Sequence, residues 1–380
     1  MHLTENLIIG GGPAGLAVAG SFTKAHIPYT LVEASQQVAH AWHHHYDRLH
    51  LHTVKELSHL PHKPFPADYP QYVPRHLVAE YMDNYAREMQ IKPHYGQEVS
   101  RVERADQGWR VETLQGTVYQ AQRVIVATGF NRRPHQPQWP GMESYQGQLI
   151  HSRAYRRGQD FKDKKVLVVG MGNTGAEIAA DLAEQGARSA LSVRGPVNVI
   201  LRDPIGRPVQ KTAIMLAKLP NWLGDALGKL TARLTVGDLS AYGIETPNMA
   251  PAAQLRITGK TPVIDVGTVD LIKSGKIKVF PEIQQFHAQG VTFGNDQSED
   301  FDAVVLATGY KAAIEEFLVD TQGIFDHNGV PKSWQIAEQP DLFFIGYDCY
   351  TAGGLLYVIR RDAERLTRML SNAPAKAVGI

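Results

Sequence analysis

The stretch Leu7-Ile8-Ile9-Gly10-Gly11-Gly12-Pro13-Ala14-Gly15 decides the fold of this 380-residue chain. An apolar run of strand type enters a glycine turn, and the apolar residues after the turn recur at helical spacing. In such a unit the first glycine permits the tight bend, the second lets the backbone approach a pyrophosphate, and the third allows close helix packing. The free N–H groups at the start of the helix face the phosphates. The stretch therefore predicts a dinucleotide site.

A second stretch repeats this order of strand, turn and helix. It reads Val166-Leu167-Val168-Val169-Gly170-Met171-Gly172-Asn173-Thr174-Gly175. One glycine signature alone is weak evidence, whereas two on one chain, each in the required context, are specific. The sequence therefore predicts an α/β protein with two Rossmann-like dinucleotide-binding domains.

The residues at the ends of the next strands distinguish the two nucleotides. Glu33 lies about 20 residues after the first turn, where an acidic side chain accepts hydrogen bonds from a ribose diol, and this favours the adenosine half of FAD. Arg194 holds the corresponding place after the second turn. A cation there suits the 2′-phosphate of NADPH, whereas a carboxylate would repel it. The alternative is that Arg194 only ends a strand in solvent.

Composition excludes several other classes of protein. The net charge is +1, which gives no electrostatic footprint for nucleic acid or an anionic membrane. No uninterrupted apolar stretch approaches the roughly 18 residues of a membrane span, and we expect a cytoplasmic protein. The chain has one cysteine, Cys349. It cannot form an internal disulfide, so electrons cannot leave through a redox-active cysteine pair, and molecular oxygen is the expected acceptor.

Two near-copies of a buried strand predict where the chain passes between domains. Residues 123–130 and 302–310 each end in Ala-Thr-Gly and an aromatic residue. We expect a glutathione-reductase-like flavoprotein in which an NADPH domain is inserted into an FAD domain. The predicted FAD domain comprises residues 1–155 and 300–380, and the NADPH domain comprises residues 156–299 with a helical insertion near residues 210–250.

Between the two glycine signatures lies the segment Tyr145-Gln146-Gly147-Gln148-Leu149-Ile150-His151-Ser152-Arg153-Ala154-Tyr155. It resembles the fingerprint of class B flavin monooxygenases, with Tyr in place of the leading Phe. Arg156 after Tyr155 favours the flavin-containing branch over the Baeyer–Villiger branch. Within that branch the chain is most similar to the YUCCA type, the plant auxin-forming enzymes and their bacterial relatives. The stretches that carry this similarity are residues 46–52, 60–66, 165–170, 259–267 and 301–311.

This resemblance implies an activity. NADPH reduces FAD, oxygen adds to flavin C4a to give a (hydro)peroxyflavin, and one oxygen atom passes to a small organic substrate. The YUCCA similarity favours oxidative decarboxylation of a 2-oxo acid such as indole-3-pyruvate. Oxygenation of amines or thioethers is the alternative, and a redox-sensor flavoprotein that binds NADPH without a dedicated substrate is an alternative of another class. We also consider a homodimer.

The resemblance also implies site residues. His52 and Thr53 lie where animal relatives have Asn-Ser beside the flavin and the nicotinamide. We expect His52 and Thr53 to be catalytic, with a neutral His52 imidazole donating to the flavin-bound oxygen, unless His52 only packs beneath the ring. The residues expected to contact the cofactors are Gly10, Gly12, Pro13, Ala14, Gly15, Glu33, Trp42, Arg48, Thr128, Gly129, Gly170, Gly172, Asn173, Thr174, Gly175, Arg194, Thr308, Gly309, Gly353 and Gly354.

Two further features of the sequence each have two interpretations. The histidines between His40 and His52 are dense enough for a metal site, but no cysteine or carboxylate cluster accompanies them, and we predict no metal. Leucines recur at helical spacing from Leu223 to Leu234. We expect that helix to pack on the NADPH domain, the alternative being that it lines a substrate entrance.

Overall fold

A computed structural model gives the fold and describes residues 1–372. The strands are β1 His2–Ile9, β2 Thr30–Val32, β3 Val99–Arg104, β4 Trp109–Thr113, β5 Val118–Val126, β6 Arg133–Pro134, β7 Gln148–His151, β8 Lys165–Val169, β9 Arg188–Ser192, β10 Val199–Leu201, β11 Val263–Asp265, β12 Ile277–Phe280, β13 Ile283–His287, β14 Gly290–Phe293, β15 Ser298–Asp300, β16 Ala303–Leu306, β17 Tyr310–Lys311, β18 Gln335–Ile336 and β19 Gln339–Phe344. The helices are α1 Pro13–Lys24, α2 His40–His44, α3 Lys55–Ser58, α4 Arg75–Glu88, α5 Asn173–Glu184, α6 Val209–Leu216, α7 Asn221–Thr235, α8 Pro251–Thr258, α9 Thr268–Lys273 and α10 Leu355–Ser371.

The first sheet is built around β1. Its order is β18-β19-β5-β1-β2, and β4 and β3 extend it antiparallel from β5. β1 is parallel to both of its neighbours, and its residues Leu7, Ile8 and Ile9 are buried. A central parallel strand is covered on both faces, which explains its continuous apolar run. Helix α1 packs on α10 and α4 on one side of this sheet.

The second sheet has the order β12-β9-β8-β16-β7, and all of its pairs are parallel. β8 lies at its centre and leads directly into the second glycine turn and helix α5. Helix α5 packs on β9 and α9 and contacts β11. Each glycine signature thus joins the central strand of a parallel sheet to a helix. The predicted α/β class with two Rossmann-type units is confirmed.

The two near-copy strands belong to different sheets. β5 lies in the first sheet, and β16 lies in the second sheet between β8 and β7. The chain therefore passes between the units after each Ala-Thr-Gly, and β6 and β17 pair antiparallel where it does so. Residues 148–151 and 303–306 belong to the second sheet, although the predicted boundaries at 155 and 300 placed them in the FAD domain. The wider domain division stays a prediction, and residues 373–380 of its last segment lie outside the described residues.

Helices α6, α7 and α8 form the insertion, between β10 and β11. The leucine stripe on α7 does not face the protein, because Leu227, Leu230 and Leu234 are exposed. The opposite face of α7 carries small residues, of which Gly224 is buried, and this face packs on α8 and β10. The helix does contact β10 and α8, which lie within the predicted NADPH domain, but it does so through its small residues and not through the leucines. Small side chains fill little volume, so they leave space between α7 and its neighbours where the helices are not in direct contact.

Candidate active site

The first glycine turn is shaped for a bound pyrophosphate. A Cβ at Gly10 would lie 2.7 Å from the carbonyl oxygen of Ala127, and one at Gly15 would lie 1.8 Å from the carbonyl oxygen of Gly10. A Cβ at Gly12 would meet nothing within 4 Å. Neighbouring backbone thus requires glycine at positions 10 and 15, whereas Gly12 borders open space. No side chain caps the helix that starts at Pro13, so its first N–H groups remain available to an anion.

Glu33 lies beside this turn, just past the end of β2. One carboxylate oxygen accepts a 2.6 Å hydrogen bond from the Gly11 N–H, and the other accepts a 2.7 Å bond from the Ser35 N–H. Each oxygen keeps a lone pair for a further donor. The backbone therefore holds the carboxylate in a fixed orientation beside the phosphate cradle, as recognition of a ribose diol requires.

The second glycine turn repeats this geometry. A Cβ at Gly170 would lie 2.8 Å from the Ala307 carbonyl oxygen, one at Gly175 would lie 1.9 Å from the Gly170 carbonyl oxygen, and one at Gly172 would meet nothing within 4 Å. The Asn173 side chain accepts a 2.7 Å hydrogen bond from the Ile264 N–H, and Thr174 follows in the first turn of α5. The chain therefore contains two cradles that fit a dinucleotide pyrophosphate.

Arg194 lies just after β9 and is exposed. Within residues 1–372 its guanidinium makes neither an ion pair nor a hydrogen bond to a side chain. An exposed cation at the end of this strand is available to a phosphate on the nucleotide held by the second cradle. Its role in reading the 2′-phosphate stays a proposal.

A cavity of about 530 Å³, which we call the interface cavity, lies between the two units. From the first unit it is lined by His52, Thr53, Gly353 and Gly354, and from the second unit and its insertion by residues that include Ile264. Both expected catalytic residues and the glycines before α10 therefore meet in one cavity. Ile264 is the residue bonded to Asn173, which connects this cavity to the second cradle.

His52 is held by a buried carboxylate from the other unit. Its Nε2 bonds to Glu177 on α5, and the other carboxylate oxygen of Glu177 accepts a 2.8 Å bond from the Tyr46 hydroxyl. Burial, reinforced by Glu177, raises the pKa of Tyr46 well above its ordinary value, so the phenol keeps its proton and donates it. A carboxylate only accepts, so Nε2 carries a hydrogen, and in a neutral ring the free lone pair lies on Nδ1. A neutral His52 would therefore accept a hydrogen bond at Nδ1, whereas the sequence led us to expect it to donate one.

Gln210, from helix α6, joins two loops of the first unit. Its side chain is buried, accepts a 2.8 Å hydrogen bond from the Val54 N–H and donates to the Gly353 carbonyl. Gly354 has a φ of +85°, and a Cβ there would lie 2.7 Å from the Thr53 side chain. Sequence reasoning missed Gln210, and the only signal for it was a polar residue within the insertion. It fixes α6 against the loop of the expected catalytic pair and against the start of α10.

The fingerprint segment ties together the two chain crossings. His151 donates from Nε2 to the Gly309 carbonyl over 3.0 Å, and its Nδ1 accepts from the Arg153 N–H over 3.1 Å. Burial lowers the pKa of His151, which keeps this ring neutral with both nitrogens bonded. The Arg153 guanidinium stacks 5.1 Å from the Tyr310 ring centre and donates to the carbonyls of Asn131 and Arg132. The fingerprint segment therefore stabilises both places where the chain passes between the two units.

The threonines of the two Ala-Thr-Gly segments also make bonds near the crossings. Thr128 bonds to the Tyr347 hydroxyl over 2.8 Å, and Thr308 donates to the His135 carbonyl. Gly129 and Gly309 have φ values of +73° and +83°, and a Cβ at either would meet nothing within 4 Å. These four residues therefore lie where the chain leaves each sheet, and their contact with cofactor stays a proposal.

Two expected cofactor residues, Arg48 and Trp42, make contacts outside the interface cavity, and their contact with a cofactor stays a prediction. Arg48 forms a two-point ion pair with Glu184 at the end of α5, about 16 Å along the helix from its glycine turn at 1.5 Å per residue. Trp42, on α2, is half-buried and packs edge-on to His45, with ring centres 5.7 Å apart. Neither lines the interface cavity. Among residues 1–372, no group of three or more His, Cys, Asp or Glu side chains has the arrangement of a metal site.

Two dinucleotide cradles, a cavity between their units and a single cysteine define a flavoprotein oxidoreductase in which a nicotinamide nucleotide reduces a flavin. The chain belongs to the flavin-binding monooxygenase-like family, whose profile matches residues 7–328. It is 38% identical over 359 residues to the indole-3-pyruvate monooxygenase YUCCA1 of Oryza sativa subsp. japonica, covering 92% of this chain and 87% of that protein. It is 36% identical over 370 residues to the probable indole-3-pyruvate monooxygenase YUCCA4 of Arabidopsis thaliana, covering 95% and 89%.

Solved structures share this fold. A flavin monooxygenase variant from Stenotrophomonas maltophilia superposes with a TM-score of 0.75 at 21% identity, covering 98% of this chain and 99% of that chain. A cyclohexanone monooxygenase superposes with a TM-score of 0.76 at 18% identity, covering 98% and 88%. The chain is therefore an FAD- and NADPH-dependent monooxygenase, as its sequence predicted. No helix among residues 1–372 combines the length and apolar content needed to cross a bilayer.

Proposed function

We propose that this enzyme oxygenates a small 2-oxo acid with loss of carbon dioxide, with indole-3-pyruvate as the leading candidate. The observation that carries the proposal is the charge of the interface cavity. Lys260 and Lys311 line it, and the ammonium groups of both are unpaired within residues 1–372. The acidic lining residue Asp348 is already paired with Arg361. Two exposed lysines without a partner among the described residues thus lie at the cavity, where their charge favours a carboxylate over a protonated amine.

The names of the relatives support the same substrate class. Both plant relatives described above are named indole-3-pyruvate monooxygenases, and the similarity covers nearly the whole of each chain. In the proposed reaction the bond between C1 and C2 of the 2-oxo acid breaks and C1 leaves as carbon dioxide. One oxygen atom of O₂ enters the new carboxylate at C2, and the other forms water with the hydride of NADPH and a proton. Bound FAD supplies the electron transfer and the activation of oxygen.

The chain's own residues supply position and shielding. The two glycine cradles hold the two pyrophosphates, and Glu33 and Arg194 select the adenosine ends. His52 lines the interface cavity, and the Nδ1 of its neutral ring, which Glu177 leaves free, can accept a proton or a hydrogen bond at the reacting atoms. Gln210 holds the insertion over this side of the cavity, which would limit the access of water to the reacting oxygen atoms.

Product analysis of the purified yellow enzyme tests the proposal. The enzyme is given NADPH and air with indole-3-pyruvate, N,N-dimethylaniline or thioanisole, and NADPH consumption, hydrogen peroxide and products are measured together. We expect indole-3-pyruvate alone to accelerate NADPH consumption, to suppress peroxide release and to yield indole-3-acetate and carbon dioxide. An oxide of the amine or the thioether would establish the alternative chemistry. Peroxide release unaffected by all three compounds would favour the redox-sensor alternative.

The two lysines provide a second test. Lys260→Met and Lys311→Met should each raise the KM for the 2-oxo acid about ten-fold, the factor expected when a charged group loses one charge-assisted partner. Lys276→Met, which removes an exposed ammonium outside the cavity, is the matched control and should leave KM unchanged. An unchanged KM in both cavity variants would show that neither lysine recognises the carboxylate.

A further inference from the structure

The insertion forms a second, partly open cavity of about 220 Å³, which we call the insertion cavity. Helix α7 contributes its small residues to this cavity, among them Gly224, Gly228, Thr231 and Ala232. Apolar side chains from α6 and α8, such as Leu216 and Leu255, complete the wall. The space therefore exists because α7 turns its small face inward and its leucines outward.

The wall of the insertion cavity offers few hydrogen-bonding partners. The hydroxyls of Thr231 and Thr235 donate to carbonyls one turn back in α7, over 2.9 Å and 2.8 Å. Asp225 and Arg256 form an ion pair with each other over 2.8 Å. Tyr350 donates its hydroxyl to Asp326, which does not line this cavity. Thr212 donates to the Pro208 carbonyl over 3.4 Å, which leaves Asn221 as the one polar side chain of this wall without a partner among residues 1–372. The cavity therefore suits an apolar guest better than water.

The insertion cavity adjoins the interface cavity. Six residues line both: Ile200, Val209, Ala213, Leu255, Pro262 and Ala352. All six are apolar, so the shared wall continues the apolar surface of the insertion toward His52 and the unpaired lysines. A cavity lined by two lysines that are unpaired within residues 1–372 thus lies directly beside a cavity whose charged residues are paired with each other.

We propose that the insertion cavity is a binding subsite for a planar aromatic ring of bicyclic size, the apolar end of the substrate whose 2-oxo acid end lies in the interface cavity. An engineered apolar cavity of roughly 150 Å³ binds benzene, and this cavity is larger by about half again. The inference rests on the proposed function for its substrate class, but the subsite itself rests on the volume and lining of the cavity. According to this proposal, the insertion selects the ring that a substrate carries.

Binding of an uncharged ring tests the subsite without turnover. The probe is 5-fluoroindole, titrated into the FAD-loaded enzyme and followed by ¹⁹F NMR. Gly228→Leu fills the insertion cavity, because a Cβ at Gly228 meets nothing within 4 Å and therefore has room. Ala226→Leu is the matched control, since residue 226 lies on the exposed side of the same helix. We expect saturable binding to the wild type and to Ala226→Leu, and binding at least about ten-fold weaker in Gly228→Leu.

A second filled variant guards against misfolding. Ala232→Phe fills the same cavity one helical turn further along, and visible absorbance of bound FAD reports whether each variant has folded. Equal binding of 5-fluoroindole by the wild type and by a folded filled variant would overturn the proposal. Absence of binding to the wild type would overturn it as well.

Turnover separates this inference from the proposed function. If both are right, the ratio of kcat/KM for indole-3-pyruvate to that for 2-oxobutanoate falls about ten-fold or more in Gly228→Leu and is unchanged in Ala226→Leu. If the wild type binds 5-fluoroindole in the insertion cavity but consumes neither acid, the subsite stands and the proposed function is wrong. If both acids are consumed with an unchanged ratio, the ring lies elsewhere.

Discussion

A single buried carboxylate connects the two units at the site. Glu177 comes from the helix that starts at the second cradle, and it bonds to His52 and Tyr46 of the first unit. It determines which nitrogen of His52 carries the hydrogen, and so which nitrogen can act in the interface cavity. The orientation of His52 therefore depends on the position of the unit that holds the nicotinamide nucleotide.

Glu177→Gln should uncouple NADPH consumption from oxygenation. The variant loses one charge-assisted hydrogen bond of roughly 1.5 kcal/mol, so the ratio of peroxide to product should rise about ten-fold. His52→Ala should show the same uncoupling while the rate of flavin reduction stays within a few-fold of normal. Peroxide released per NADPH consumed, normalised to bound FAD, measures the effect.

Glu184→Gln is the matched control for this prediction. It removes the same charge from the same helix, but Glu184 pairs with Arg48 on the exposed side and touches neither His52 nor Tyr46. Its peroxide ratio should equal that of the wild type. If Glu177→Gln and His52→Ala also leave the ratio unchanged, both residues serve packing alone.

Arg194→Ala should weaken the use of NADPH much more than that of NADH. The guanidinium is exposed and without a partner among side chains of residues 1–372, so its removal costs the fold little. Loss of a charge-assisted contact to the 2′-phosphate corresponds to roughly 1.5 to 3 kcal/mol, or about a ten-fold to hundred-fold change in kcat/KM. Steady-state kinetics with both nucleotides measure this, and equal effects on the two would remove Arg194 from nucleotide recognition.

The imidazole of His45 should make the fold sensitive to acid. Burial, together with the cations Arg75, Arg153 and Arg156, lowers the pKa of His45 to about 4, against an ordinary value of 6.5. Because the unfolded chain binds this proton more readily, the stability is complete above pH 6.5 and is lost as pH falls toward 4. Protonation of His45 should lower the free energy of unfolding by about 2 kcal/mol between pH 7 and pH 5.

The midpoint of thermal unfolding at the two pH values checks this prediction. His45→Gln should lose less stability than the wild type between pH 7 and pH 5. His76→Gln removes an exposed imidazole from α4 and should behave like the wild type. An identical pH dependence in all three proteins would show that His45 takes up its proton without loss of stability.

At the level of elements, the two strand-turn-helix units have the same geometry, although we assign FAD to the first and NADPH to the second. In each, the first and third glycines are required by neighbouring backbone, and the middle glycine borders open space. Substitution of the middle glycine should therefore leave the fold intact and obstruct the pyrophosphate. The two units can be tested separately for this reason.

Gly12→Val should give folded, colourless protein, whereas Gly172→Val should give yellow protein that NADPH reduces slowly. Both residues have extended backbone, with φ near −78° and −89°, which valine adopts without strain. Visible absorbance per protein and the rate of anaerobic reduction by NADPH are the measurements. Full FAD retention in Gly12→Val would contradict the assignment of the first cradle.

The elements also show what the sequence could predict. Both glycine turns and the strands before them were predicted, because their signals lie within a few residues of one another. Gln210 was missed, since its partners Val54 and Gly353 lie 156 and 143 residues away. The leucines of α7 correctly predicted a helix, but helical spacing shows that a face exists and not which face is buried. Arg48 was assigned by position in a motif, and only the fold shows its pairing with Glu184.

At the level of the whole molecule, the fingerprint links the two units at their crossings. Arg153→Ala should leave FAD retention and NADPH affinity within a few-fold of normal, because Arg153 contacts neither cradle. It should speed hydrogen–deuterium exchange at residues 130–134 and 308–311 and raise the peroxide released per NADPH. Arg157→Ala, which loses only an exposed ion pair with Asp160, is the control. Unchanged exchange at both segments would show that the crossings need no brace from Arg153.

The pairing of β6 with β17 has a mechanical consequence. An antiparallel ribbon of two short strands bends readily out of its own plane and resists bending within that plane. Because the chain crosses between the sheets at this ribbon, we expect the two units to move relative to each other mainly by bending there. Such bending would carry a nucleotide bound on one unit toward or away from a flavin bound on the other, with little sideways displacement.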